Sequence, residues 1–250
     1  MVDEPDRGGR DGIDVVAAKS ASRDGARGRP PRLSREAILD SAIELIDRDG
    51  LQQLTMRRLG GYCGVEAMAL YRHVSGREDL IGGIVDRLVE GLYEDQQASF
   101  AECATWQDYL QRLAHGVRAI AVAHPQVFPV IATRPPEAPW VRPPLRSLRW
   151  METFLASLRQ LGFDQQAAAA AYRSFTTFLL GHLLIEVAAR GADLAVVAPA
   201  AEPDGSAVDD LADYPNIREL RPMLSQDHAL TEFEEALEDL LDRIESYPPA

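Results

Sequence analysis

From Ser34 onward, apolar residues recur three and four positions apart in runs too long for strands, and no stretch alternates Val, Ile or Thr with polar residues. Each such segment carries one apolar stripe that only another element can cover, so the fold class is all-α. The stripes come with start and stop signals. Ser34 precedes Ile38, Leu39, Ala42, Ile43, Leu45 and Ile46, and Gly50 follows them, which predicts a helix at 35–49. Thr55 caps a short second helix at 55–62, with Met56, Leu59 and Tyr62 on one side; Cys63-Gly64 breaks it, and a third helix runs over 66–73. Ser75-Gly-Arg-Glu78 reads as a capping box for a long fourth helix, 76–95, striped by Leu80, Ile84, Leu88 and Leu92. Further helices are expected at 105–123, 125–132, 144–161 and 164–190, and the box Thr231-Glu-Phe-Glu234 opens the last, 228–246, with Phe233, Leu237, Leu240, Leu241 and Ile244 as its apolar face. Residues 191–225, rich in Ala, Pro, Asp and Gly without a period, read as an irregular loop, and residues 1–33 as a disordered basic arm.

Charge divides the chain. The net charge is −13, yet residues 1–77 hold 13 basic against 12 acidic side chains while residues 78–250 hold 13 against 27. A surface this acidic cannot coat nucleic acid as a whole, but the near-neutral first third leaves room for a small cationic face. No apolar run is long enough to span a bilayer and the N-terminus lacks a signal-peptide core, so the expectation is a cytoplasmic protein without a membrane partner. Cys63 and Cys103 are too few for a disulfide framework or a four-cysteine zinc site. No Gly-rich phosphate loop, HExxH or GxSxG occurs, which argues against an enzyme and calls for no cofactor or metal.

Two short helices joined by a glycine-containing turn, at 55–62 and 66–73, have helix-turn-helix spacing. Arg57 and Arg58 on the first, Tyr71, Arg72 and His73 on the second, and Arg77 beyond it can meet one phosphate backbone from neighbouring directions. Charge pattern alone allows a second reading, a solvated face with Tyr71 tucked into the core, on a helical carrier or enzyme. The residues themselves go further. Leu54-Thr-Met-Arg-Arg-Leu59, Gly64-Val-Glu-Ala-Met-Ala-Leu-Tyr-Arg-His-Val74 and Arg77-Glu-Asp-Leu80 closely resemble the DNA-binding domain of TetR-family transcriptional repressors, over residues 34–95.

The resemblance implies an N-terminal three-helix reader (34–80) joined by a long helix to a ligand-binding and dimerisation domain (81–250), working as a homodimer on a palindromic double-stranded DNA operator. By position, Thr55, Tyr71, His73 and Arg77 would hold phosphates, and Arg57, Ala67, Met68, Ala69 and Arg72 would face bases. The chemistry agrees: hydroxyl, phenol, imidazole and guanidinium donate to phosphate oxygens, Arg57 can be bidentate to guanine, and the small apolar tip offers contact to a thymine methyl. Glu66, an acid where many relatives carry a hydroxyl, is assigned to capping. In the arm, Arg27-Gly-Arg-Pro30 resembles the core of an AT-hook, which enters a narrow minor groove, or serves as a flexible basic tail.

Thr105-Trp-Gln-Asp-Tyr-Leu110 and Ala132-Thr-Arg-Pro135 resemble the C-terminal domain of the tetracycline-repressor branch, which implies a small-molecule inducer. Where those relatives place a magnesium-binding histidine this chain has Val130, and where they place an amide and an aromatic it has Leu113 and Val117. A pocket lined by Trp106, Leu110, Leu113, Val117, Ile131, Trp150, Phe154, Phe175 and Phe178, with Arg134 and His182 as polar members, suits a largely apolar or aromatic inducer and no metal. His182 and Glu186, four apart, read as a polar pair in the pocket or at the dimer interface, since two ligands do not make a metal site.

Overall fold

Every described element is a helix. The computed structural model describes residues 33–133, 147–194, 211 and 213–247, and of residues 95–99, 101 and 102 the backbone alone. In chain order the helices are α1 (Arg35–Asp49), a 3₁₀ turn (Leu51–Gln53), α2 (Met56–Tyr62), α3 (Ala67–Leu70), α4 (Arg77–Glu102), α5 (Trp106–Ala123), α6 (Phe128–Thr133), α7 (Leu148–Gln160), α8 (Gln165–Ala189), α9 (Pro215–Leu224) and α10 (Ala229–Glu245). Five start where a side chain takes an orphan amide of the first turn: Ser34 from Ala37, Thr55 from Arg58, Thr105 from Asp108, Ser147 from Trp150 and Asp164 from Ala167.

Helices α1–α3 and the first turns of α4 close around Ile38, Leu45, Ile46, Leu59, Leu70, Val74 and Leu80. A larger core joins α5, α7, α8 and α10 through Tyr109, Leu110, Phe154, Phe175, Leu183, Phe233 and Ile244, with α4 supplying Leu92. Helix α4 therefore belongs to both cores. Its glycine Gly83 lets α1 approach closely, since a Cβ there would lie 2.8 Å from Leu39 Cδ2.

Several expectations need correction. The loop expected over 191–225 contains α9, with a proline at its first position and Pro222 inside it; no residue of α9 is buried, and Ile217, Leu220, Met223 and Leu224 stand exposed along it. The third helix stops at Leu70 and passes through turns in which His73 N donates to Leu70 O at 2.8 Å, so it is one turn long. At the start of α4 the carboxylate of Asp79, one residue beyond the Glu78 of the expected capping box, accepts from Ser75 N at 2.7 Å and Ser75 Oγ at 3.1 Å. Helix α10 begins before Thr231, with Asp227 Oδ1 accepting from Ala229 N at 3.1 Å. The arm at 1–33, but for Leu33, lies outside the described residues, Arg27-Gly-Arg-Pro30 included.

Candidate functional site

Helices α2 and α3 meet at a glycine. A Cβ on Gly60 would lie 2.9 Å from Val65 O and 3.1 Å from Ala67 N, both backbone atoms, so only glycine lets the chain fold back this tightly; Val65 N donates to Gly60 O at 2.9 Å to close the turn, and Gly64 takes the left-handed φ of 69° that the turn requires. Buried Leu70 and Val74 anchor the reading segment from behind. What remains outward is Met68, 73% exposed, and Tyr71, 46% exposed, with Arg57, Arg72 and Thr55 also exposed and Ala67, Ala69 and His73 half-buried. Tyr71 is thus not tucked into the core. Glu66 stands at the N-cap position of α3, but its carboxylate makes no capping hydrogen bond, contrary to the role assigned from sequence.

The other charges of this segment are spent on holding it. Arg58 donates to Asp49 Oδ2 and to Gln53 Oε1, each at 2.8 Å, which removes it from the free cations. Arg77 donates to Leu54 O and Leu51 O, both at 3.4 Å. Arg35, a residue the sequence reading did not single out, donates to His73 O at 2.8 Å and pairs with Asp79 at 2.7 Å, tying α1 to the end of the reading segment and the start of α4. That hydrogen bond, with the amide of Ser75, holds the Asp79 carboxyl far below the usual carboxylate range. Tyr62 donates to Glu44 at 2.7 Å while Arg48 lies over its ring, fixing α2 on α1.

On the far side of α4 lies a narrow apolar cavity of about 70 Å³. Val89 and Leu92 of α4, Val117 and Ile120 of α5, and Phe128 and Ile131 of α6 form one side; Ser147, Trp150 of α7, and Thr176, Leu179 and Leu180 of α8 form the other. Of the residues expected around a ligand, Val117, Ile131 and Trp150 are brought together here. Leu110, Leu113, Phe154 and Phe175 are core packing, not cavity wall; Phe154 sits 5.4 Å from Trp150 and 5.5 Å from Phe175, ring to ring, and so backs the wall. Trp106 packs edge-on against Phe163 elsewhere in the bundle, and Phe178 and His182 cluster with Phe233 between α8 and α10. Arg134 lies outside the described residues. Thr176, absent from the expected set, lies one turn after Tyr172 on the buried, largely aliphatic and aromatic face of α8.

Glu186 does not pair with His182. It is buried and held by Arg118, at 2.6 and 3.0 Å, and by Arg190 at 2.9 Å. Among the described residues no group of three or more His, Cys, Asp or Glu could hold a metal ion, and no helix is long and apolar enough to cross a membrane. The reader and the body are also bridged by His124, whose Nδ1 lies 2.6 Å from Asp47 Oδ2 just ahead of α6.

Comparison with known proteins decides what such a reader and bundle belong to. The family described as bacterial regulatory proteins, tetR family, matches residues 38–84, and the tetracyclin repressor-like C-terminal domain matches residues 101–247, more than half of the chain. The chain belongs to the TetR family. As a TetR-family member it is a DNA-binding transcriptional regulator, all-helical, with an N-terminal helix-turn-helix and a helical C-terminal domain. Similar proteins include an HTH-type transcriptional regulator of Saccharopolyspora erythraea, 27% identical over 69% of this chain and 73% of that protein. The tetracycline repressor protein class D of Escherichia coli is 27% identical over 61% of this chain and 66% of that protein. Among solved structures, a possible TetR-family regulator from Streptomyces coelicolor superposes with a TM-score of 0.64 at 28% identity, covering 85% of this regulator and 99% of that chain.

Proposed function

We propose that this regulator is a ligand-responsive repressor which, as a homodimer in the cytoplasm, binds a palindromic operator and releases it when a small neutral molecule, largely apolar or aromatic, enters the cavity between α4 and α8. Arg57, Ala67, Met68, Ala69 and Arg72 face bases, and Thr55, Tyr71 and His73 hold phosphates. Arg77 joins them, because its two contacts at 3.4 Å are long enough to be exchanged for a phosphate oxygen. The observation that carries the reading is the sharing of α4: its first turn is pinned to the reader through Asp79 and Arg35, and about three turns on, Val89 and Leu92 wall the cavity. A ligand that spreads the cavity displaces the helix on which the reading segment rests, and its effect is limited by its differential affinity for the two arrangements.

The dimer face is the outward stripe of α8 and α10. Ile185 is 74% exposed on α8, at helical spacing from the exposed Gly181 and Thr177, and Ala236 of α10 shares a surface depression with Thr177. Leu237 and Leu241, on the apolar face expected of the last helix, are not free to form this interface, being buried in the protomer's own core at 1% and 5% exposure. Charge there unfolds the body, whereas Ile185→Glu yields folded monomers by sedimentation. For the whole reading, labelled duplex from DNA flanking the protein's own coding region is titrated at rising salt, then challenged with neutral aromatic compounds with and without EDTA. Binding that weakens with salt and release insensitive to EDTA are expected. No retained duplex at low salt refutes the repressor, and a metal requirement refutes the apolar pocket.

A further inference from the structure

Among the described residues the cavity walls carry no ionisable side chain, yet they are not wholly inert. Trp150 of α7, 6% exposed, and Thr176 of α8, 2% exposed, are both wall residues. The indole Nε1 of Trp150 is buried without a hydrogen-bond partner, and the Thr176 hydroxyl, near the Tyr172 phenol, makes no hydrogen bond of acceptable geometry. Buried polar atoms are almost always satisfied, and an indole N–H can only donate. The geometry points to a ligand that supplies the missing acceptor: we infer that the cavity selects a neutral, mostly hydrocarbon molecule bearing a carbonyl oxygen, which takes the Trp150 N–H and the Thr176 hydroxyl. A carboxylate is disfavoured because no described wall residue would offset its desolvation. A pure hydrocarbon leaves the Trp150 N–H unmet, so the site rejects it for the same reason that sites built for a hydrogen bond reject analogues lacking one.

This rests on the cavity being the ligand site, and the test separates the two. The full-length protein is titrated calorimetrically with 1-tetralone and with tetralin, which differ by one carbonyl. Water solvates the ketone better, so an apolar hole would prefer tetralin; the wild-type protein is expected to prefer 1-tetralone. Trp150→Phe keeps the aromatic wall and is expected to shift the ratio about tenfold toward tetralin, with Thr176→Val shifting it in the same direction. Should the Trp150 variant not fold, the wild-type protein still reports: the Trp150 indole N–H proton resonance moves downfield with 1-tetralone and not with tetralin. An unchanged ratio in folded variants, or equal resonance shifts from both compounds, overturns the acceptor proposal alone. Failure of both compounds to bind overturns the cavity as a ligand site, and this inference with it.

Discussion

Gly60→Ala sets two opposed effects of known size against each other. Alanine in place of glycine within a helix gains about 1 kcal/mol of propensity. The new methyl group, however, would sit 2.9 Å from Val65 O and 3.1 and 3.2 Å from Ala67 N and Cα, all backbone, so no side chain can swing aside and α3 must move. Overpacking of this kind costs about 1–3 kcal/mol, so steric strain wins by about 1 kcal/mol and the melting temperature falls by roughly 2–4 °C. The larger consequence is for DNA: a four-residue helix displaced by a few tenths of an ångström loses aligned contacts, each good base contact being worth about 1–3 kcal/mol, so affinity for a retained duplex drops by about tenfold or more. Gly61→Ala is the internal control for stability, because a Cβ there meets nothing within 4 Å and the propensity gain is realised as a higher melting temperature. Thermal unfolding of both variants, with fluorescence anisotropy of labelled duplex for Gly60→Ala, decides the matter. If both variants gain the same stability and Gly60→Ala keeps its affinity, the close crossing is not what positions the reading segment.

Other perturbations address separate joints. Tyr71→Phe should weaken specific and unrelated duplexes alike, whereas Arg57→Ala should relax preference at one base pair by about 1–3 kcal/mol; uniform loss from the arginine variant in a binding-site selection would reassign it to a phosphate. Asp79 has a depressed carboxyl, so its stabilisation is complete above the unfolded value near pH ~4 and disappears as pH falls through the folded one. Asp79→Asn should therefore melt lower by about 1 kcal/mol at neutral pH, discounted for partial exposure, with the gap to wild type closing only below roughly pH 4; a gap that closes near neutrality refutes the Arg35 pairing as its source. Arg118→Met strands Glu186, 2% exposed at the side chain, with Arg190 alone and should cost about 3 kcal/mol in denaturant unfolding, partly recovered by adding Glu186→Gln; absence of that recovery would show that lost packing of Arg118 on Phe233 dominates.

What could be read from the chain was whatever is local. The caps at Ser34, Thr55, Thr105 and Asp164 lie within three residues of the amides they satisfy, and their helices begin where those side chains stand. Helix α9 escaped because Pro222 breaks its pattern and because no core selects a face for it, leaving periodicity without burial to enforce it. Asp79 could not be singled out locally because the partner that anchors its carboxylate, Arg35, lies far off in sequence. The pairs Arg118–Glu186 and His124–Asp47 join residues 68 and 77 positions apart, and no helical period encodes such distances. For the same reason the aromatic residues of the body could be recognised as interior while their division into cavity wall and solid packing could not.

The reader's habit of spending its arginines on itself bears on how such a protein searches a genome. Arg35, Arg48, Arg58 and Arg87 are each paired with an aspartate, and Arg57 and Arg72 are the exposed arginines of the described reader that no ion pair or hydrogen bond engages. Behind them stands an acidic body that repels any polyanion brought close. Random DNA, which rewards loose charge above all, therefore has little to hold, and most molecules stay unbound instead of stranded on the millions of wrong sites that a chromosome offers. On the proposed repressor reading, few copies per cell then suffice to keep one operator occupied, and an inducer would have a correspondingly small number of proteins to fill before the gene opens.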